Sequence, residues 1–298
     1  MSNSSSRRSN KVRPIERWSA AIARWFHSSK SASGRTPTTP LWHNSKTFRR
    51  LLSLLLFFGI WQLLCTIKFN FLINFTFLPS PIEVLGATIQ FFSGDPMTHI
   101  QASVFRVFAG YTTAAILGIS LGIAIGWFQK IEDLAFLPLE LLRPIPAVAW
   151  IPLAILMFPD AESGMIYITF IGAFFPILIS TIKGVESTDI LLLRVGQCLG
   201  AKQWHTFKDI VVPGAMPSIA SGLVIGMGNS WFCLVTAEIL AGRYGVGYLT
   251  WESYVTSNYP PIVMGMLLIG LMGALSSYAV DRLTQLLMPW RVMKKKSS

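Results

Sequence analysis

Apolar residues run in six long blocks, at about 48–67, 104–128, 137–158, 164–182, 214–238 and 262–287, with polar residues collected between them. Each block is close to the roughly 20 residues with which an α-helix crosses the hydrocarbon of a bilayer. The pattern predicts an all-α integral membrane protein with six transmembrane helices. Among the polar intervals, 183–213 is unusual, because Asp189, Arg194, Lys202, His205, Lys208 and Asp209 are interleaved with large residues at helical spacing. Ile190, Leu193, Gln197 and Leu199 follow one helix face, and Gly200 breaks the run. Trp204 and Phe207 then sit on a second short helix, and Pro213 with Pro217 opens the next span. The expected unit is helix, turn, helix, with Gly200 at a positive φ. A part-apolar hairpin standing in water implies docking onto a soluble partner.

Inside the blocks, Gly118, Gly122 and Gly126 recur at four-residue spacing, as do Ser218, Gly222 and Gly226. Lipid supplies no hydrophobic drive between helices, so such stripes mark close backbone packing, either within one subunit or between two. The third block contains Pro138, Pro144, Pro146 and Pro152, each removing a donor from the helix ladder. The freed carbonyls need protein or a wet cavity around them, so this span is either a pathway wall or a kinked packing helix. Arg143 and Trp150 lie seven residues apart, as do Trp231 and Glu238, and two helical turns put each pair on one face. With Pro146 and Asn229 they form the candidate translocation pathway. The other readings are snorkelling or a structural ion pair for the charged groups, packing for the tryptophans, and a bond to a neighbouring helix for Asn229.

Composition agrees with the membrane reading: 52% of residues are hydrophobic and only 13% charged. The net charge of +11 is local, because eleven of the 25 Lys and Arg fall in residues 1–50 against the single acid Glu16. An excess confined to one tail sets membrane topology rather than binding nucleic acid, and it places both termini and the 183–213 loop on the cytoplasmic side. Four regions follow. Residues 1–47 are a basic, largely flexible tail in which 14–27 can form an amphipathic helix, with Ile15, Trp18, Ile22 and Trp25 on one face against the lipid surface. Residues 48–290 are the transmembrane domain, 183–213 a cytoplasmic loop within it, which the resemblance given below makes the coupling loop, and 291–298 a basic C-terminal tail. The opposite-side segments 68–103 and 241–261 suit short interfacial helices, serving as a landing surface for an extracytoplasmic protein or as plain membrane anchors.

Little chemistry is encoded. Cys65, Cys198 and Cys233 form no CxxC or Cys/His spacing, and no G-x-x-x-x-G-K-[ST] phosphate loop occurs. None of His27, His43, His99 and His205 falls inside a predicted span, so a buried Ser-His pair or a His-based metal site has no base or ligand. No catalytic, cofactor-binding or metal-binding residues are expected.

The 186–217 stretch resembles the cytoplasmic "EAA" loop of binding-protein-dependent ABC importer permeases. Gly200, Ile210 and Pro213 stand at that family's spacing, while Arg194, Val195 and Gly196 replace its Glu-Ala-Ala start. The resemblance continues through LLRPIPAVAWIPLAILMF (141–158) and WFCLVTAEIL (231–240), covers about 50–290, and is closest to the permeases for nitrate, bicarbonate and sulfonates such as taurine. It implies a type I-like permease in the bacterial plasma (inner) membrane, multi-pass, working as a homodimer with cytoplasmic ABC ATPase subunits and an extracytoplasmic substrate-binding protein. ATP and Mg would be bound by the partner ATPase. The residues it assigns to ATPase coupling are Arg194, Gly196, Gln197, Leu199, Gly200, Ala201, Trp204, Ile210 and Pro213. The rival reading, an ion-coupled secondary transporter, calls for two related halves, and neither the proline-rich span nor the hairpin has a second copy.

Overall fold

The computed structural model describes residues 45–67 and 77–289, and these are helical without strands. In chain order the helices are α1 (Ser45–Ile67), α2 (Pro81–Ser93), α3 (Pro96–Trp127), α4 (Gln129–Leu142), α5 (Ile151–Met157), α6 (Ala161–Glu186), α7 (Ile190–Cys198), α8 (Gln203–Thr206), α9 (Val212–Ala241), α10 (Val246–Val255) and α11 (Tyr259–Leu286). The expected tail helix at 14–27 and the tail 291–298 lie outside the described residues. α2 starts where a capping box allows: the Ser80 amide donates to Glu83 Oε2 at 2.7 Å, and the Ser80 hydroxyl accepts from the Glu83 amide.

α6 is the centre of the bundle, and the small-residue stripes explain why. On α3, a Cβ at Gly110 would stand 2.7 Å from the Ile166 carbonyl oxygen, and one at Gly122 2.6 Å from Thr181 Cβ. On α9, a Cβ at Gly222 would stand 2.6 Å from Ser180 Cβ, and one at Gly226 3.0 Å from Ile177. Both stripes therefore press on α6 from the two sides, within one subunit. Ala114, Ala173, Ile177 and Leu234 are sealed at this double contact, each fully buried.

Four described helices are long and apolar enough to cross a membrane: α3, α6, the continuous Gln203–Ala241 and α11. The expected third span is not one straight helix. α4 and the segment Ala147–Met157 meet at 84°, and counting them together gives a fifth span. Pro144 and Pro146 account for the break, since neither donates an amide to continue the helix, and the chain turns extended at Pro146, ψ 135°. Pro152 sits in the first turn of α5, where a missing amide costs nothing. The first apolar stretch, Leu52–Ile67, is shorter than the other spans.

Candidate functional site

The 183–213 loop is built as a compact turn. Asp189 caps α7 by accepting the Leu191 amide at 2.8 Å. At its other end Gly200 has φ +77°, its amide donates to the Gln197 carbonyl, and the Ala201 amide donates to the Gly196 carbonyl, both at 3.0 Å. These two bonds and the left-handed glycine form a Schellman closure, which satisfies carbonyls that the helix end would leave open. Gly196 is buried because a Cβ there would stand 2.9 Å from Ile210 Cδ1, so α7 lies flat on the start of the following helix. The turn consequently points its large residues outward: Leu199 is 82% exposed and Trp204 65%, with Ile190, Leu191 and Val195 also exposed. Phe207 turns inward and packs against Trp127, ring centroids 5.2 Å apart and the planes tilted by 55°.

One expectation is corrected here. The second short helix does not end before Pro213; it runs on without a break as Gln203–Ala241, through a π turn at Phe207–Val211. Pro213 leaves the Asp209 carbonyl without an α-helical partner, and the wider turn just before it absorbs the defect. Of the proposed coupling residues, Arg194 and Gln197 are exposed, and Ala201, Ile210 and Pro213 are half-buried.

The pathway candidates are not brought together. Arg143 and Trp150 share no helix face, because the break between α4 and α5 separates them. Arg143 is exposed and pairs with Glu140 at 3.4 Å, Pro146 is exposed, and Trp150 packs on the core from a 3₁₀ turn with its buried Nε1 unpartnered. Trp231 is buried and donates from Nε1 to Ser276 Oγ of α11 at 2.8 Å. Asn229 alone lies on an open face of α9, which also carries Ser221, Ile225, Gly228 and Phe232 at helical spacing.

Glu238 belongs to a buried polar cluster at the end of the bundle away from the 183–213 turn. Arg106 of α3, 1% exposed, donates from Nη1 to Glu238 Oε1 at 2.7 Å and to the Tyr244 carbonyl at 2.6 Å. Its other edge holds Glu162 of α6, through Nε at 2.7 Å and through Nη2. Glu238 also accepts from Ser103 Oγ at 2.7 Å and from the Gly247 amide at 2.8 Å. The sequence places Arg106 only at the mouth of a span and gives Glu162 no role. An arginine within an apolar block is the legible signal, but its partners lie 56 and 132 positions away. Beside the cluster, Asp160 caps α6, and the Ser163 amide it accepts at 2.7 Å holds its carboxyl below the usual range.

This helical arrangement has known counterparts. Residues 114–292 match the family described as "Binding-protein-dependent transport system inner membrane component". The chain is 33% identical over 257 residues to the nitrate import permease protein NrtB of Synechocystis, covering 83% of this chain and 91% of that one. It is 29% identical over 237 residues to the taurine transport system permease protein TauC of Escherichia coli, covering 78% and 85%. Among solved structures, an amino acid ABC transporter crystallised with histidines shares the fold at a TM-score of 0.51 and 15% identity, over 70% of this chain and 97% of that one. The chain belongs to the family of inner-membrane permease components of binding-protein-dependent transport systems, the membrane-spanning subunits of ABC importers.

Proposed function

We propose that this subunit forms, with a second copy of itself, the passage through which an ATP-driven importer moves a small anion of the nitrate, bicarbonate or alkanesulfonate class. The turn at Leu199–Gly200 carries the reading. A membrane protein that spends a folded, charged-and-apolar projection on water needs a soluble partner for it, and an ABC ATPase is the partner that fits the family. ATP and Mg are bound and used on that partner, and a binding protein delivers solute to the opposite face. Both termini and the turn face the cytoplasm, in keeping with the basic residues of the tails. The open face of α9, with Asn229 and Ser221 as its polar groups, lines the passage. Arg106 is no anion site, because two carboxylates already surround it. Anion choice therefore rests mainly with the delivering protein.

The test is reconstitution. The wild-type chain should copurify with its ATPase and take up labelled nitrate, bicarbonate or taurine into vesicles when given ATP and binding protein. Uptake that follows an ion gradient with no ATPase present would replace this reading with a secondary transporter.

A further inference from the structure

α10 has no cap of its own. Gly245 at its N-cap position offers no side chain, yet the first amides of the helix are satisfied by residues from two other helices. The Val246 amide donates to Ser103 Oγ of α3 at 2.9 Å, and the Gly247 amide to Glu238 Oε2 of α9 at 2.8 Å. Arg106 fixes the preceding residue through the Tyr244 carbonyl, and His99 Nδ1 lies against the Gly245 backbone. The loop is moulded to the carboxylate: a Cβ at Gly245 would run into the Glu238 carboxyl, and one at Gly247 would stand 2.8 Å from the Val235 carbonyl oxygen. An anionic oxygen at a helix N-terminus faces both the free amides and the positive end of the helix dipole, so this arrangement sets the direction of α10 as well as its place.

We infer that Ser103, Arg106 and Glu238 are positioning residues for transport: together they cap α10 from outside, and α10 in turn seats α11. The second link is made along α10, where Gly265 of α11 packs on Thr250. Of the four membrane-length helices, α11 is the least buried, with 11% of its apolar window enclosed, against 50% for α6. Among the described residues it is held mainly by α9, α10 and α2, so this seat is one of three main supports, and the Trp231–Ser276 bond belongs to the one on α9. The inference rests on the proposed transport function, since it assigns the cap a part in that work. With the cap intact, α11 returns to one position in each cycle; without it, ATP is hydrolysed while the mouth of the passage closes imperfectly.

The experiment uses the complex of permease, ATPase and binding protein in proteoliposomes, with labelled nitrate and taurine as probes. Two quantities are read: solute moved per ATP hydrolysed, and hydrogen exchange at the Val246 and Gly247 amides. Ser103→Ala removes the cap oxygen without stranding a charge. It should leave assembly unchanged, speed exchange at both amides about tenfold or more, and lower the solute-per-ATP ratio at least threefold. Ser103→Thr, which restores a hydroxyl, should recover both. A purely structural serine would lower yield and leave the ratio per assembled complex intact, and that result, or unchanged exchange in Ser103→Ala, overturns the inference. Wild-type complex that moves neither probe with ATP counts against the proposed function instead, while the exchange data still decide whether the cap exists.

Discussion

Gly200 and Gly122 are both glycines that accept no side chain, for different reasons. At Gly200 the space around the missing Cβ is empty and the obstacle is the backbone, φ +77°, which costs a β-branched residue roughly 1–3 kcal/mol. Gly200→Val should therefore leave the spans inserted and misdirect Leu199 and Trp204, seen as lost copurification of the ATPase with unchanged protease protection of the membrane region. At Gly122 the backbone is ordinary helix and the obstacle is Thr181 together with the Leu178 carbonyl, the latter 3.0 Å from a Cβ. Gly122→Val should push α3 off α6 at a cost of about 1–3 kcal/mol and reduce the yield of monodisperse protein. Gly270→Ala, with nothing within 4 Å, should match the wild type in the same measurement.

The coupling turn and the broken third span show, at the scale of elements, what the sequence discloses. The turn was legible because a left-handed closure needs glycine and because large residues at helical spacing among charges mark a folded loop. Leu199→Asp should preserve that fold, since the side chain is exposed, and weaken ATPase binding by removing an apolar anchor; a pull-down with intact hydrolysis by the free ATPase checks it. The continuity of α8 with α9 was hidden, because a proline near a helix start reads as a boundary and the π turn that accommodates Pro213 leaves no sequence mark. The shared face assigned to Arg143 and Trp150 failed for a related reason. Heptad spacing counts only where the helix is unbroken, and Pro144 with Pro146 turns the chain by 84° between them. The glycine stripes were visible but their partner was not, because α6 meets them with Ile177, Ser180 and Thr181, and the glycines it turns to α9, Gly172 and Gly184, stand twelve residues apart rather than in a four-residue stripe.

Over the whole molecule, three charges join three helices that lie far apart in sequence. Arg106 stands between a carboxylate that is fully buried, Glu238, and one that is 56% exposed, Glu162. The two arms are unequal in consequence. Arg106→Gln would leave Glu238 buried without its counter-charge, a loss in the range of about 3–5 kcal/mol, and should abolish accumulation of folded protein. Glu162→Gln leaves a neutral buried pair behind and frees a group already in contact with water, so folded protein should accumulate close to the wild-type level; expression followed by size-exclusion chromatography separates the two cases.

The unbroken helix from Gln203 to Ala241 has a mechanical consequence. At 1.5 Å per residue its 39 residues make a rod about 58 Å long, one end starting beside Leu199 and the other carrying Glu238. A rod of that kind transmits torque: a small rotation imposed at the turn is carried along the helix toward the far end. Its compliant section is near the driven end, where the π turn at Phe207–Val211 is followed by the interior Pro217. Stiffening or loosening those five residues would therefore change the gain of the whole transmission while touching neither the partner surface nor the passage.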